Sequence, residues 1–176
     1  MNSAKFPSMD PSDHQQLSKW ENDCLEQTDA DLFGHGACHV LAVALKRSGK
    51  WAPCEIVRLP AVRDDLIIEA YHVYVRKGDE ALDIKGMRKE MELLIELDQL
   101  LKLRGDKDFV SKINGPPQPV DGDALLEKDH RNKAGAWVNA WDQFSGDRFI
   151  SEAMKRADSV IERWYAAGLQ DPEDVG

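Results

Sequence analysis

Apolar residues recur along this chain with two periods, and the switches between them mark out the expected elements. Leu17, Trp20, Cys24 and Leu25 fit a helix over roughly 13–27, with Ser12 or Asp13 as its cap. "DLFGHG" then breaks the pattern, since two glycines two apart suit a tight turn and a close backbone approach. Ala37, Val40, Leu41, Ala44 and Leu45 next repeat at i, i+3, i+4, i+7 and i+8, which predicts a helix from about Ala37 to Arg47 ended by Gly49. That helix is apolar on most of its surface, so a central place is expected.

Three strands follow on the pattern: "CEIVRL" (54–59), "LIIEAYHVYVR" (66–76) and "EALDIKG" (80–86). "KGDE" between the last two is a hairpin signal, with Gly78 and Asp79 able to take positive φ. From residue 87 the period turns helical, and "MRKEMELLIELDQLLKLRG" reads as one helix stopped by Gly105. "NGPPQPVDGD" (114–123) is expected as loop. A short helix near 124–144 and an amphipathic one from Asp147 to Ala167 close the chain. The apolar stripe of that last helix holds Phe149, Ile150, Ala153, Met154, Ala157, Val160, Ile161, Trp164 and Tyr165. This order predicts an α+β single domain over 13–168, with a polar tail at 1–12 and a flexible end at 169–176.

Composition narrows the class of partner. The chain has 176 residues, 42 % apolar and 31 % charged, which suits one domain with a real core. A net charge of −9 works against binding to nucleic acid or an anionic membrane. No run approaches the ~20 apolar residues that a bilayer requires. The start, "MNSAKFPSMDPSDHQQ", lacks an apolar h-region, and Cys24, Cys38 and Cys54 are too few and too odd for a disulfide framework. The expectation is free thiols and a cytoplasmic setting.

Cys38 changes the picture. It falls in the first turn of the central helix, where unpaired N–H groups and the positive dipole end lower a thiol's pKa. A nucleophile needs a base, and the base an orienting group. With Arg76 opposite Ala81 in the hairpin, Asp83 faces Tyr74 and His72 faces Lys85, so His72 and Asp83 are diagonal neighbours on one face. An aspartate within "ALDI" also wants a partner, because burying a lone carboxylate is costly. Cys38, His72 and Asp83 are therefore the candidate catalytic residues.

"GHGACHVLAVAL … YHVYVRKGDEALDIKG" resembles the core of the papain-like superfamily in its broad sense, including transglutaminase-like proteins and arylamine N-acetyltransferases. "DIKG" after "HVYV" is also similar to small uncharacterised bacterial and phage proteins of that type. The resemblance covers about 31–86, and the helical part 87–168 lies outside it. It implies a central helix packed on a small antiparallel sheet, with Cys38 as nucleophile, His72 as general base then acid, and Asp83 orienting His72. The implied activity is that of a cysteine hydrolase (peptidase, deamidase or amidase) or an acyltransferase, with a protein or small amide or ester as substrate and no cofactor or metal. Papain carries a Gln shortly before its Cys. Asp31 and Leu32 stand near that place here, so the oxyanion hole would have to use backbone N–H groups, such as that of Cys38, or an unidentified donor.

Two other readings stand beside this one. The same scaffold without activity would be a binding protein, with the helical second half as its surface. His35, Cys38, His39 and His72 are also the ligand types of a zinc site, although two glycines precede Cys38 and no C-x-x-C pair exists. His39 is expected to pack or to touch substrate, Cys24 and Cys54 to be structural, and Trp137 and Trp141 to pack on the last helix or rim a cleft. The pattern leaves the oligomeric state open.

Overall fold

The computed structural model describes residues 23, 25–63, 66–104, 111–126 and 147–168. The tail at 1–12, Cys24, Trp137, Trp141 and the end at 169–176 lie outside the described residues, as does most of the expected helix at 13–27.

The segment expected to be a turn is helical. Helix α1 (Asp29–His35) starts at Thr28, whose Oγ1 accepts the Asp31 N–H at 3.2 Å, and Asp29 and Asp31 favour its positive end. Leu32 and Phe33 are buried by it, which outweighs the helix-weakening Gly34. Gly36 closes the helix, and the N–H groups of Gly36 and Ala37 both bond to Leu32 O. The chain thus turns within two residues into helix α2 (Cys38–Ser48), which ends at Gly49 in the left-handed region, φ 67°. Every residue from Cys38 to Leu45 is buried, so the expected central helix is present.

Six strands form one antiparallel sheet. They are β1 (Glu55–Arg63), β2 (Leu66–Lys77), β3 (Glu80–Asp83), β4 (Gly86–Lys89), β5 (Ser111–Ile113) and β6 (Gln118–Pro119). The order is β4-β3-β2-β1-β5, with β6 also paired to β1. The β2–β3 register is the expected one, with Arg76 opposite Ala81. Several boundaries differ from the sequence pattern: β1 runs on to Arg63 where the pattern stopped at 59, and β3 stops at Asp83 where the pattern ran to 86. Residues 86–89, expected as helix, make β4, so that helix α3 (Glu90–Arg104) begins three residues late. The reason is the turn at Ile84–Lys85, where Gly86 takes φ 97° and returns the chain alongside β3. The expected loop also contributes β6 before the short helix α4 (Gly122–Leu126).

Alternation along the strands builds two cores. Ile56, Val73, Val75 and Leu82 face α2, which is backed by helix α5 (Asp147–Ala166) through Phe149, Ala153, Ala157, Val160 and Ile161. Val57, Leu59, Tyr74 and Ala81 face the other way, onto Leu93 and Leu97 of α3. The architecture is α+β, an antiparallel sheet with helices on both faces. No helix among the described residues is long and apolar enough to cross a membrane.

Candidate active site

Three elements deliver the candidate residues to one place. Cys38 is the first residue of α2, held there by the two-residue link from α1. Ala37 at the cap position gives no side-chain acceptor to the N–H groups of the first turn. The helix therefore starts with donors and a positive dipole end beside the sulfur.

His72 lies on β2 with the same parity as Tyr74, whose ring belongs to the α3 side of the sheet. Strict alternation would carry the imidazole away from Cys38. The β2–β3 ladder, however, ends at Val75–Leu82, and the β1–β2 register slips between Leu59 and Ala61, level with His72. Past the last rung the strands no longer pair, and the ring bridges from β3 to α2. His72 Nε2 donates to Asp83 Oδ2 at 3.0 Å. Its other nitrogen is left for the Cys38 sulfur, and His72 and Cys38 lie close enough for each to shift the other's titration. The three side chains are 6 %, 4 % and 6 % exposed for Cys38, His72 and Asp83.

Electrostatics follow from this arrangement. Burial pushes the Cys38 thiol up, but hydrogen bonds from His39 and His72 and their positive charge outweigh it, and the thiol is lowered to about 6. Burial pushes His72 down, yet its bonds to Asp83 and Cys38 raise it to about 9. Asp83 is likewise pushed up by burial and brought below its ordinary value by His72, Arg88 and the Lys85 N–H. Both shifts run in the direction that favours a thiolate facing an imidazolium, with the imidazolium anchored on a carboxylate. Phe33, Leu41, Val73 and Ile84 pack around Cys38 and Asp83.

Two contributors were not visible in the sequence pattern. His39, expected to pack or meet substrate, is 2 % exposed and helps to lower the Cys38 thiol. Arg88, placed by periodicity inside a helix, lies on β4 and donates to Asp83 Oδ2 at 3.0 Å. Its signal would have been the turn in "DIKGMR", which makes residue 88 a strand neighbour of Ala81. Cys54 is half-buried against the core, and burial raises its thiol. Among the described residues no three His, Cys, Asp or Glu side chains are arranged to hold a metal ion. The side chain of His35 lies outside the described set. Compared with protein families, curated proteins and solved structures, the chain matches none.

Proposed function

We propose that the protein is a papain-like cysteine hydrolase acting on an amide or ester bond through Cys38, His72 and Asp83. The observation that carries this reading is the continuous chain of sulfur, imidazole and carboxylate drawn from α2, β2 and β3 and buried together. The Cys38 thiolate attacks the carbonyl carbon, and the C–O π pair becomes an oxyanion. That oxyanion is met by first-turn N–H groups of α2, Cys38's own included. The His72 imidazolium then gives its proton to the leaving nitrogen or oxygen as the C–N or C–O bond breaks, leaving a thioester on Cys38. Neutral His72 next takes a proton from water, the hydroxide adds to the thioester, and collapse expels the thiolate with the acid product. Asp83 holds the ring in the required orientation throughout and stays ionised. An amine or thiol acceptor in place of water would turn the same steps into acyl transfer.

The test is alkylation with iodoacetamide at pH 6, with the modified residue identified by mass spectrometry. Cys38 is expected to label well ahead of Cys54, whose thiol is raised by burial, and to slow in His72→Ala. Labelling of Cys38 no faster than that of a free model thiol overturns the hydrolase and leaves a binding protein on this scaffold.

A further inference from the structure

Asp83 serves two cations with one oxygen. Its Oδ2 accepts from His72 Nε2 and from Arg88 Nη2, each at 3.0 Å, while Oδ1 takes the Lys85 N–H at 2.9 Å. Register explains how Arg88 arrives. On the β3–β4 ladder Arg88 pairs with Ala81 and Asp83 pairs with Gly86, so Arg88 and Asp83 are diagonal neighbours on one face. The other two corners of that square carry a methyl group and a hydrogen, which leaves the guanidinium room to cross to the carboxylate. The same Arg88 Nη2 lies 3.6 Å from Glu96 Oε2 of α3, and Glu96 also binds Lys85 Nζ. Charge therefore alternates along one line through five elements: Glu96, Arg88, Asp83, His72, Cys38.

We propose that Arg88 is the positioning residue of this triad. By sharing Oδ2 with His72 it fixes the carboxylate and, tempered by Glu96, sets how firmly the carboxylate holds the imidazole proton. The inference rests on the thiolate–imidazolium reading above. Its sign is determined by charge. A cation on Oδ2 repels the imidazolium and draws on the same lone pairs, so removing it tightens the hold on the proton. Removing the Glu96 charge leaves Arg88 uncompensated and loosens that hold. The other groups around His72 are common to both variants. Among the described residues they are Cys38 on α2, with His39 beside it, and Tyr74, which stacks on the ring at 6.1 Å between centroids. The Tyr74 hydroxyl is tied to Glu90, which together with Glu55 pairs with Arg76.

The experiment is an NMR titration of the His72 ring, assigned by its loss in His72→Asn, in the wild type, Arg88→Gln, Arg88→Lys and Glu96→Gln. In the wild type His72 titrates well above an ordinary histidine. Arg88→Gln is expected to move the midpoint up by about half a pH unit or more, roughly a threefold gain in proton affinity. Glu96→Gln moves it down, and Arg88→Lys, which keeps the charge, returns it most of the way. A purely structural role for Arg88 moves none of these midpoints. Midpoints that stay put, or that move in the same direction in Arg88→Gln and Glu96→Gln, overturn the inference. Glu96 is partly exposed, at 35 %, so its variant carries the sign even where Arg88→Gln fails to fold. A wild-type His72 at its ordinary value removes the thiolate–imidazolium reading itself. A raised wild-type value with unmoved variants removes only the role of Arg88.

Discussion

Asp83→Asn exchanges one oxygen for an NH2 group, and the surroundings of the carboxylate show why the amide cannot substitute. Three donors converge on the two oxygens: His72 Nε2 and Arg88 Nη2 on Oδ2, and the Lys85 N–H on Oδ1. An amide offers a single acceptor atom. Turned to the two cations, it sets its NH2 against the Lys85 N–H. Turned to Lys85, it sets the NH2 against both cations. Removing one partner of a buried ion pair costs about 3–5 kcal/mol, and the stranding of two cations argues for the upper part of that range. A domain of this size holds about 5–15 kcal/mol of stability, so the variant still folds, with a distinctly lower urea midpoint. Chemistry suffers with it. A thiol at about 6 is roughly nine-tenths thiolate at pH 7, whereas at the ordinary 9.0 the thiolate is about one part in a hundred. Without Asp83 the buried His72 loses the largest contribution that keeps it protonated, and Cys38 loses the facing charge. The thiolate fraction at pH 7 should fall by about tenfold or more, His39 retaining part of the effect. Two measurements check this: the ultraviolet absorbance of the thiolate against pH, and urea unfolding followed by circular dichroism. A stability loss below about 1 kcal/mol, or a thiolate midpoint unchanged from the wild type, would refute the reasoning.

Three further outcomes follow from the same structure. The Asp83 carboxyl is lower when folded, so its contribution is present above pH 3.8 and is lost as pH falls through the folded value. The stability gap between the wild type and Asp83→Asn should therefore narrow steadily as the pH falls into acid, and a gap that does not narrow contradicts the assignment. Cys38 and His72 shift in opposite directions across pH 6.5–9, so their contributions cancel there, and urea midpoints in that window should show little dependence on this pair. At Gly122 an added Cβ would collide with Ile56 Cδ1 and lie 3.2 Å from Val43 Cγ2. Gly122→Ala should cost about 1–3 kcal/mol, and Ile56→Val, which removes the Cδ1, should recover much of it in the double variant. Additive losses in that cycle would argue that the two residues do not meet.

Much of the architecture was legible because local patterns had a single reading. The run from Ala37 to Gly49, the Lys77–Glu80 turn and the stripe from Phe149 to Trp164 each carry their own period and their own stop. "DLFGHG" misled because two glycines outweighed a Thr28 cap and the burial of Leu32 and Phe33, both of which act only once the core exists. "GMRK" misled because four residues are too short for a period to distinguish strand from helix, and the pairing with β3 decided it.

The sequence by itself determined that a cysteine would open a central helix, and that a histidine and an aspartate would sit diagonally on adjacent strands. Local propensity and a two-residue hairpin turn suffice for that. Only the tertiary structure decided that the imidazole meets the sulfur, because strand alternation alone sends His72 to the face of Tyr74. At that level the β2–β3 ladder has ended at Val75–Leu82, and the β1–β2 register slips just beyond the Leu59–His72 pair. Likewise, the inclusion of Arg88 and His39 depends on contacts between segments, which periodicity along one segment does not encode.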